Sequence, residues 1–275
     1  PDAIANHQIE VKACRARMRD GTLISLESGQ GLDRVSLKEA FAKESAIRVF
    51  LAVSKLHLGR ANVGPPGQQG VHRYSEAEQL QADESKGGND QEIQHRVLNV
   101  QILLSTQDLS GFEVLPIAQI ERSGERESVP RLDSKYIPPL LACDAWPVLD
   151  RDIVRAIYDI VGKKIEVLSE QILLRGITLS ASEPGDLDRV LMLSVLNAAY
   201  TTLGVMGFAL GQHPLLVYTE LCRLVGQLSI FGSDRRPPEI PKYDHDDIAG
   251  IFYAVKKEIE RLIGAVREYQ YEQRY

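Results

Sequence analysis

The residues best suited to chemistry in this 275-residue sequence lie in its last third. Residues 243–247 read Tyr-Asp-His-Asp-Asp and combine carboxylates with an imidazole, the side chains that hold divalent metals. His213, which precedes a proline, is a further candidate ligand or base. A metal-dependent enzyme centred on His213, Asp244 and His245 is therefore one hypothesis for the function.

The same residues also fit the starts of helices. Asp is favoured at a helix N-terminus, where its carboxylate accepts free backbone N–H groups and opposes the helix dipole. A proline after His213 suits the first helical turn. Di-metal sites in helical bundles need Glu-x-x-His on two facing helices, a pattern that the helical part of this sequence lacks. We therefore expect helix caps at both places, with no catalytic, metal-binding or cofactor-binding residue.

Sequence signatures for other chemistry are absent. The chain contains no G-x-S-x-G, no G-x-x-x-x-G-K-[S/T] and no G-x-G-x-x-G. Cys14, Cys143 and Cys222 are odd in number and far apart, a pattern that favours neither a zinc site nor a disulfide framework. They fit small buried hydrophobic residues in a reducing compartment. The residues alone thus indicate a protein that is not an enzyme.

The composition indicates a folded, acidic chain. Apolar residues make up 44% and charged residues 25%, which excludes a disordered or collagen-like class. The net charge of −6 argues against a nucleic-acid-binding protein, which would have a basic face. The chain has no uninterrupted apolar run of about 18 residues, so the sequence predicts no membrane insertion.

The first half of the chain has the alternating pattern of half-buried strands. Asp20-Gly21 is a tight-turn pair, and Pro116 inside a strand suggests an edge strand or a bulge. Strands are predicted over residues 7–17, 22–26, 47–54, 91–105 and 112–120. Strands at this spacing, joined by loops that contain Gly and Pro, predict a β-sandwich or a barrel over residues 1–146.

After Pro147 the apolar residues recur every three or four positions, which is typical of helices. Helices are predicted over residues 149–174, 186–211 and 213–231, and from Asp246 or Asp247 to Val266. Gly204, Gly207 and Gly211 in the second helix favour close helix contact over phosphate binding. The fold class is therefore α+β, with an antiparallel four-helix bundle over residues 147–275.

The first two helices have more apolar residues than one buried stripe requires. Exposing a Leu or Val side chain instead of burying it forfeits about 1.5–3 kcal/mol. We therefore expect a second face of the bundle to be covered by copies of the same chain. The candidate interface residues are Val154, Val161, Val167, Leu174, Leu191 and Leu203.

Several segments, in order, resemble one known family. They are residues 19–22, 73–83, 91–104, 112–120, 132–141, 213–231 and 241–252, and the most specific reads Leu-Asp-Ser-Lys-Tyr-Ile-Pro-Pro-Leu-Leu. Together they resemble the TssK family of type VI secretion baseplate proteins.

The resemblance implies a homotrimeric structural adaptor. Its parts would be an N-terminal β-sandwich shell similar to phage receptor-binding proteins, a helical-bundle neck and a C-terminal head. The shell would bind the wedge subunits TssF and TssG, and the head would contact TssL and TssM of the membrane complex. This chain would supply shell and neck, with head and opening segment absent, in the cytoplasm at the inner-membrane-attached baseplate.

A Pro-rich segment lies where the strand pattern gives way to the helical one. Each proline disfavours helix for the residue before it, so this segment is expected to be extended. We predict a rigid joint between shell and neck, formed by Tyr136, Pro138, Pro139, Trp146 and Pro147.

The alternative from another class is a ligand-binding module of the phage receptor-binding type, which would bind sugar or peptide. Sugar binding needs exposed aromatic rings. Trp146 is the single tryptophan in the chain, and it lies beside the predicted joint.

Overall fold

The computed structural model describes residues 2–27, 32–66, 72–122, 129–180, 183 and 185–265. The chain has a mixed α and β fold and divides into two compact units, Pro1–Tyr136 and Ile137–Tyr275. We call them the strand unit and the helical unit.

The division into compact units falls between Tyr136 and Ile137, before the expected domain boundary between residues 146 and 147. The intervening segment belongs to the helical unit because its backbone is bonded there. Cys143 N donates to Gln212 O at 2.8 Å, and Gly211 N donates to the Asp144 carboxylate at 2.9 Å. The side chain of Ile137 lies in the core of the helical unit.

The strand unit begins with a short helix, α1 (Asp2–Ala5), and continues as strands. In the described residues these are β1 (Gln8–Ile9), β2 (Cys14–Arg17), β3 (Leu23–Leu26), β4 (Val35–Ser36), β5 (Ala46–Ser54), β6 (Val63–Gly64), β7 (Tyr74–Gln81), β8 (Gln91–Leu98), β9 (Val100–Leu104), β10 (Phe112–Glu121) and β11 (Arg131–Leu132). They form a four-stranded sheet in the order β11-β10-β5-β9, a three-stranded sheet β6-β7-β8, and the pairs β1-β4 and β2-β3.

Strand β5 is the centre of the four-stranded sheet. Its alternate residues Ile47, Val49, Leu51 and Val53 are buried, as expected for the inward face of a strand. Its neighbour β10 pairs with it in antiparallel register, with a shift between Pro116 and Ala118. Of the two possibilities that Pro116 suggested, the register shift supports the bulge, and the edge strand is wrong because β10 lies between β11 and β5.

Two long strand predictions are wrong at their centres. Residues 7–17 form β1 and β2, which pair with β4 and β3, respectively, in separate sheets. Residues 91–105 form β8 and β9, and Asn99 between them donates its backbone N–H to Arg73 O at 2.9 Å. An alternating pattern shows which face is buried, but it does not show where a strand changes its partner.

The turn between β2 and β3 is linked to distant parts of the strand unit by one buried arginine. Gly21 adopts φ 88°, and the Asp20 carboxylate accepts the Thr22 backbone N–H at 2.9 Å, so the predicted tight turn is confirmed. The Arg73 guanidinium, 5% exposed, donates to Asp20 at 2.7 Å, to the Thr22 hydroxyl, and to Ser54 O at 2.9 Å. The end of β5, the turn and the start of β7 therefore meet at Arg73.

The electrostatics of the turn follow from these contacts. Burial by itself would raise the pKa of the Asp20 carboxyl. The hydrogen bonds from Thr22 and the charged guanidinium of Arg73 outweigh that effect and lower the pKa below its ordinary value. The ionised carboxylate is thus the form that the fold stabilises, and that stabilisation is lost as pH falls through the lowered pKa.

In the helical unit a 3₁₀ turn, Cys143–Ala145, is followed by a π-helical segment, Val148–Arg155, which continues directly as helix α2. The helices are α2 (Ala156–Arg175), α3 (Asp186–Phe208), α4 (Pro214–Leu228) and α5 (Ile248–Ile263), with a 3₁₀ turn Ser229–Phe231 after α4. Helix α2 contacts α3 and α5, and α4 contacts α3 and α5. The predicted helix starts and ends agree with these bounds within a few residues, and Val266 lies outside the described residues.

The junction of α2 and α3 contains a buried carboxylate. Gly185, at φ 82°, occupies the N-cap position of α3, and Asp186 is the first helical residue. Its carboxylate accepts from Arg175 at 3.0 Å and from Arg189 at 3.2 Å. The two cations offset the cost of removing this charge from water, and they join the end of one helix to the start of the next.

We predict that replacing Arg73 by Met destabilises the strand unit. The change keeps a long, unbranched side chain but removes the donors to Asp20, Thr22 and Ser54, which should lower the free energy of unfolding of this unit by roughly 2–4 kcal/mol. Hydrogen exchange of residues 14–26 in increasing urea measures the loss.

The matched control is Arg96→Met, because Arg96 is an exposed arginine on β8 that lies over the Tyr74 ring. This variant should cost less than about 1 kcal/mol. The fluorescence of Trp146 reports on the helical unit and should keep its urea midpoint in both variants. Equal losses for the two arginine variants would contradict the assignment of Arg73 as the link.

Candidate functional site

The two histidine- and aspartate-containing segments singled out by the sequence lie at the starts of α4 and α5. His213 is the N-cap of α4, and its Nδ1 accepts the backbone N–H of Leu215 at 3.1 Å. Asp247 is the N-cap of α5, and its carboxylate accepts the backbone N–H of Gly250 at 3.1 Å. The capping interpretation is confirmed at both positions.

The remaining polar groups of the cluster are engaged locally. The Tyr243 hydroxyl and His245 Nδ1 are 2.8 Å apart, and the His213 and His245 rings stack with centroids 5.5 Å apart. The Asp244 carboxylate accepts the backbone N–H of Asp246 at 2.9 Å. Across the part of the chain that the structure describes, no three His, Cys, Asp or Glu side chains are grouped so that they could hold a metal ion.

The nearest nucleophile candidates are held in their protonated forms. Burial, with a smaller contribution from the charges of Asp144 and Asp150, raises the pKa of the Cys143 thiol to about 12. Burial also raises the pKa of Tyr243 to about 12, with Cys143 adding to the effect. A thiol with so high a pKa is not an activated nucleophile at neutral pH. The geometry of this cluster therefore supports packing and capping.

The predicted joint residues divide between the two units. Tyr136 ends the strand unit, where the Arg48 guanidinium carbon lies 5.9 Å from the centroid of its ring. Pro138, Pro139, Trp146 and Pro147 belong to the helical unit, and Trp146 packs against the helical core. The boundary thus falls inside the Tyr-Ile-Pro-Pro segment, and the rigidity of that segment stays a prediction.

Three of the predicted interface residues are removed from the candidate set. Val154, Val161 and Leu203 are 1%, 0% and 0% exposed within the single chain, so they have no surface left for a second copy. Val154 is buried because it lies in the π-helical segment. Its turn is wider than that of an α-helix, so a residue five positions after the buried Leu149 also faces inward.

The other three candidates keep their exposure. Leu174 is 79% exposed and Leu191 is 41% exposed, whereas Val167 is half-buried. Their role at an interface stays a prediction.

The structure adds an apolar surface that the sequence analysis did not assign residue by residue. On α3 the side chains of Leu187, Val205 and Phe208 are 49%, 68% and 54% exposed, beside Leu191. Other exposed apolar residues in the described part of the helical unit are Leu141, Leu173, Leu174, Leu179, Leu210, Leu215, Leu216 and Ile230. Clustered exposed apolar side chains of this kind mark an interaction surface. The signal in the sequence was that α3 has no charged residue after Arg189.

Helix α3 is more apolar than one buried stripe requires. In the described residues it is the one helix that could cross a membrane by length and composition, with a mean hydropathy of 1.5 over its most apolar window. Only 28% of that window is buried within the chain. The sequence has no uninterrupted apolar run of about 18 residues, yet the helix as a whole is this apolar.

The ligand-binding alternative gains little from the clefts of the strand unit. An open cleft of about 800 Å³ beside β1 is lined by aliphatic and polar side chains such as Ile4, Val11 and Arg34. No aromatic ring lines it, so it lacks the stacking surface that sugar recognition requires.

Comparison with known sequences connects both units to one family. The family model T6SS_VasE, described as "Bacterial Type VI secretion, VC_A0110, EvfL, ImpJ, VasE", matches residues 1–273. The type VI secretion system baseplate component TssK1 of Pseudomonas aeruginosa strain PAO1 is 28% identical over 166 residues, which is 60% of this chain and 36% of TssK1. The resemblance found in the sequence is thereby confirmed.

Solved structures show the same fold. A crystal structure of TssK matches with a TM-score of 0.83 at 19% identity, over 96% of this chain and 61% of that one. A TssK-TssF-TssG baseplate subcomplex from cryo-electron microscopy contains a chain that matches with a TM-score of 0.80 at 20% identity, over 95% and 82%. The chain spans 36% of the length of TssK1 and 61% of the crystallised TssK chain.

We predict that the cap at His213 can be isolated by comparing two variants. His213→Asn keeps an N-cap acceptor and His213→Ala removes it, while both lose the stack on His245. The Ala variant should therefore be less stable than the Asn variant by about 1 kcal/mol. Urea unfolding followed by Trp146 fluorescence measures the difference, and equal midpoints would contradict the cap.

Proposed function

Because the chain belongs to the T6SS_VasE family of bacterial type VI secretion proteins, the TssK family, we propose that it is a structural component of the secretion baseplate. In this role it is a trimeric adaptor that connects the baseplate wedge subunits with the membrane complex. The main support is that the family model matches residues 1–273, and so extends over both compact units.

The proposed architecture has two parts. The strand unit would be a β-sandwich shell, supported by its antiparallel four-stranded sheet and the smaller sheets around two apolar clusters. The helical unit would be an antiparallel four-helix-bundle neck. The contacts of α2 with α3 and α5, and of α4 with the same two helices, support a closed arrangement of four helices around one core.

The proposed protein partners are TssF and TssG, bound through the strand unit. The support is the likeness to a TssK chain solved in a TssK-TssF-TssG baseplate subcomplex. Contacts with TssL and TssM would belong to a C-terminal head. The net charge of −6 is consistent with protein partners instead of nucleic acid. The proposed location is cytoplasmic, at the inner-membrane-attached baseplate.

A structural role agrees with how the chemistry-bearing residues are used. His213 and Asp247 cap helices, Tyr243 and His245 bond to each other, and Cys143 is a buried thiol. Each group has a local structural partner or environment, so the helical unit offers a rigid shape for assembly.

The first test of the proposal is the mass of the assembly. At micromolar concentration, light scattering coupled to size exclusion should give about three times the 30.6 kDa of one chain. The physical reason is the exposed apolar surface of the helical unit, which a monomer would leave in water. A stable monomer would contradict the trimeric adaptor.

The second test is capture of the wedge subunits. The tagged chain, produced together with TssF and TssG from the same organism, should retain both through affinity purification and size exclusion. A matched control is the tagged chain with Arg73→Met, which should lose retention in proportion to the loss of order in the strand unit. Failure of the folded, unmodified chain to retain either subunit would contradict the proposed partners.

A further inference from the structure

The hairpin formed by β7 and β8 leaves one long strand edge open. The two strands pair in antiparallel register at eight consecutive positions, from Tyr74 with Leu98 to Gln81 with Gln91. Among the described strands β8 has no second neighbour, because the sheet order is β6-β7-β8. Residues 91–97 are all exposed, which fits an edge that the described part of the chain leaves uncovered. The N–H and C=O groups of such an edge can pair with another strand.

The alternation of hydrogen bonds shows which residues of β8 turn their backbone groups toward this edge. In an antiparallel pair, directly opposed residues are hydrogen-bonded to each other at every second position. Asn99, directly after β8, donates its backbone N–H to Arg73 O at 2.9 Å, so this pair is a bonded one. Counting back along β8 from there, Glu92, Gln94 and Arg96 are at non-bonded positions. Their N–H and C=O groups therefore point away from β7, toward the open edge.

These three residues have charges that complement themselves. Glu92 is acidic, Arg96 is basic, and Gln94 lies halfway between them. If β8 lies antiparallel to a second β8 with the two Gln94 residues opposite each other, each Glu92 faces the Arg96 of the other copy. All three opposed pairs are then of the hydrogen-bonded kind, and opposite charges placed directly opposite stabilise such a pair. One register thus satisfies both the backbone groups and the charges.

Other arrangements of two β8 strands do not satisfy them. Parallel strands in register would put Glu92 opposite Glu92 and Arg96 opposite Arg96, and like charges directly opposite are destabilising. An antiparallel register shifted by two residues would lose both Glu92–Arg96 pairs. The strand also contains neither proline nor lysine, and its register with β7 has no bulge, so it lacks the usual features that block an edge.

The two charges are available for a second copy. The Arg96 guanidinium carbon lies 4.6 Å from the centroid of the Tyr74 ring, and Glu92 lies opposite Leu80 on β7. Neither charge forms an ion pair with another of the described residues. The Gln94 side chain donates to the Glu78 carboxylate at 3.2 Å, which holds this amide on the face of its own hairpin.

We infer that β8 pairs with the β8 strand of a second copy, antiparallel about Gln94, and joins two three-stranded sheets into one. The contact is isologous, because each copy contributes the same residues across a two-fold axis. A three-fold axis does not relate two strands in this way, so the contact is separate from the proposed homotrimer. It involves few residues of each copy, which makes it a weak and transient contact.

A cysteine on the two-fold axis tests the pairing. In Gln94→Cys the new thiols lie opposite each other, on Cα atoms about 5.5 Å apart, which is within the range of a disulfide. Mild oxidation at high protein concentration should therefore give a disulfide-linked dimer on a non-reducing gel. The matched control is Glu78→Cys, on the same face but one strand farther from the edge, where the two thiols would be about 14 Å apart. The unmodified chain reports the native cysteines.

Charge reversal tests the register. Combined with Gln94→Cys, either Glu92→Arg or Arg96→Glu places like charges opposite each other, so the cross-linked fraction should fall to that of Glu78→Cys. The two reversals together recreate both ion pairs with the signs exchanged and should restore the dimer. Unchanged hydrogen exchange of residues 14–26 shows that the strand unit is still folded. Cross-linking that survives the single reversals, or that the double reversal does not restore, overturns the inferred register.

The outcomes separate this inference from the proposed function. A trimer in which Gln94→Cys cross-links no more than Glu78→Cys overturns the edge pairing and leaves the adaptor standing. A monomeric chain that cross-links through Gln94→Cys overturns the trimeric adaptor and leaves the edge pairing standing. If Glu92→Arg releases TssF or TssG in the capture experiment while Gln94→Cys gives no dimer, the edge belongs to a wedge subunit, and the inference is overturned.

Discussion

Helix α3 has more apolar surface than one chain can bury, and this constraint governs the helical unit. Leu196 and Leu203 fill the core on one side, while Leu191, Val205 and Phe208 remain exposed on the other. Leaving a side chain of this size fully exposed forfeits about 1.5–3 kcal/mol relative to burial, and each of these partly exposed side chains forfeits a part of that. A helix with these two sides is stable in water when a second body covers the open one. The proposed trimer supplies that second body.

The strand unit is held together differently. Its sheets are small, and Arg73 connects three separate segments through charged hydrogen bonds to Asp20, Thr22 and Ser54. Two of the segments that carried the family resemblance, around residues 19–22 and 73–83, meet at this contact. The structure thus shows that these two family-like segments are in contact, which the separate sequence segments could not show. The motif positions are close in space because one buried guanidinium needs all of these acceptors.

The sequence predicted elements well where one periodic pattern decides the outcome. The helices around Leu196, Leu221 and Phe252 and the strand around Leu51 were found because their buried residues repeat at the helical or the strand period. The sequence predicted poorly the places where a strand changes its pairing partner or a helix changes its pitch. Strand β7, polar and largely exposed, gave no periodic signal, the segment before α2 winds as a π-helix, and the unit boundary depends on hydrogen bonds near Cys143. For the candidate site, the excess of apolar residues on the helices was evident from the sequence. Which of those residues stay exposed could be read only from the packed core.

The most direct test of this account is hydroxyl-radical footprinting of the assembled chain in solution. In a single chain Phe208 is 54% exposed and Leu191 is 41% exposed, and Leu58 of the strand unit, at 92%, provides the reference for full exposure. If other copies cover α3, Phe208 and Leu191 should be oxidised as slowly as buried residues such as Leu203, while Leu58 is oxidised rapidly. Oxidation of Phe208 and Leu191 at the rates that their exposure in one chain implies would contradict the account.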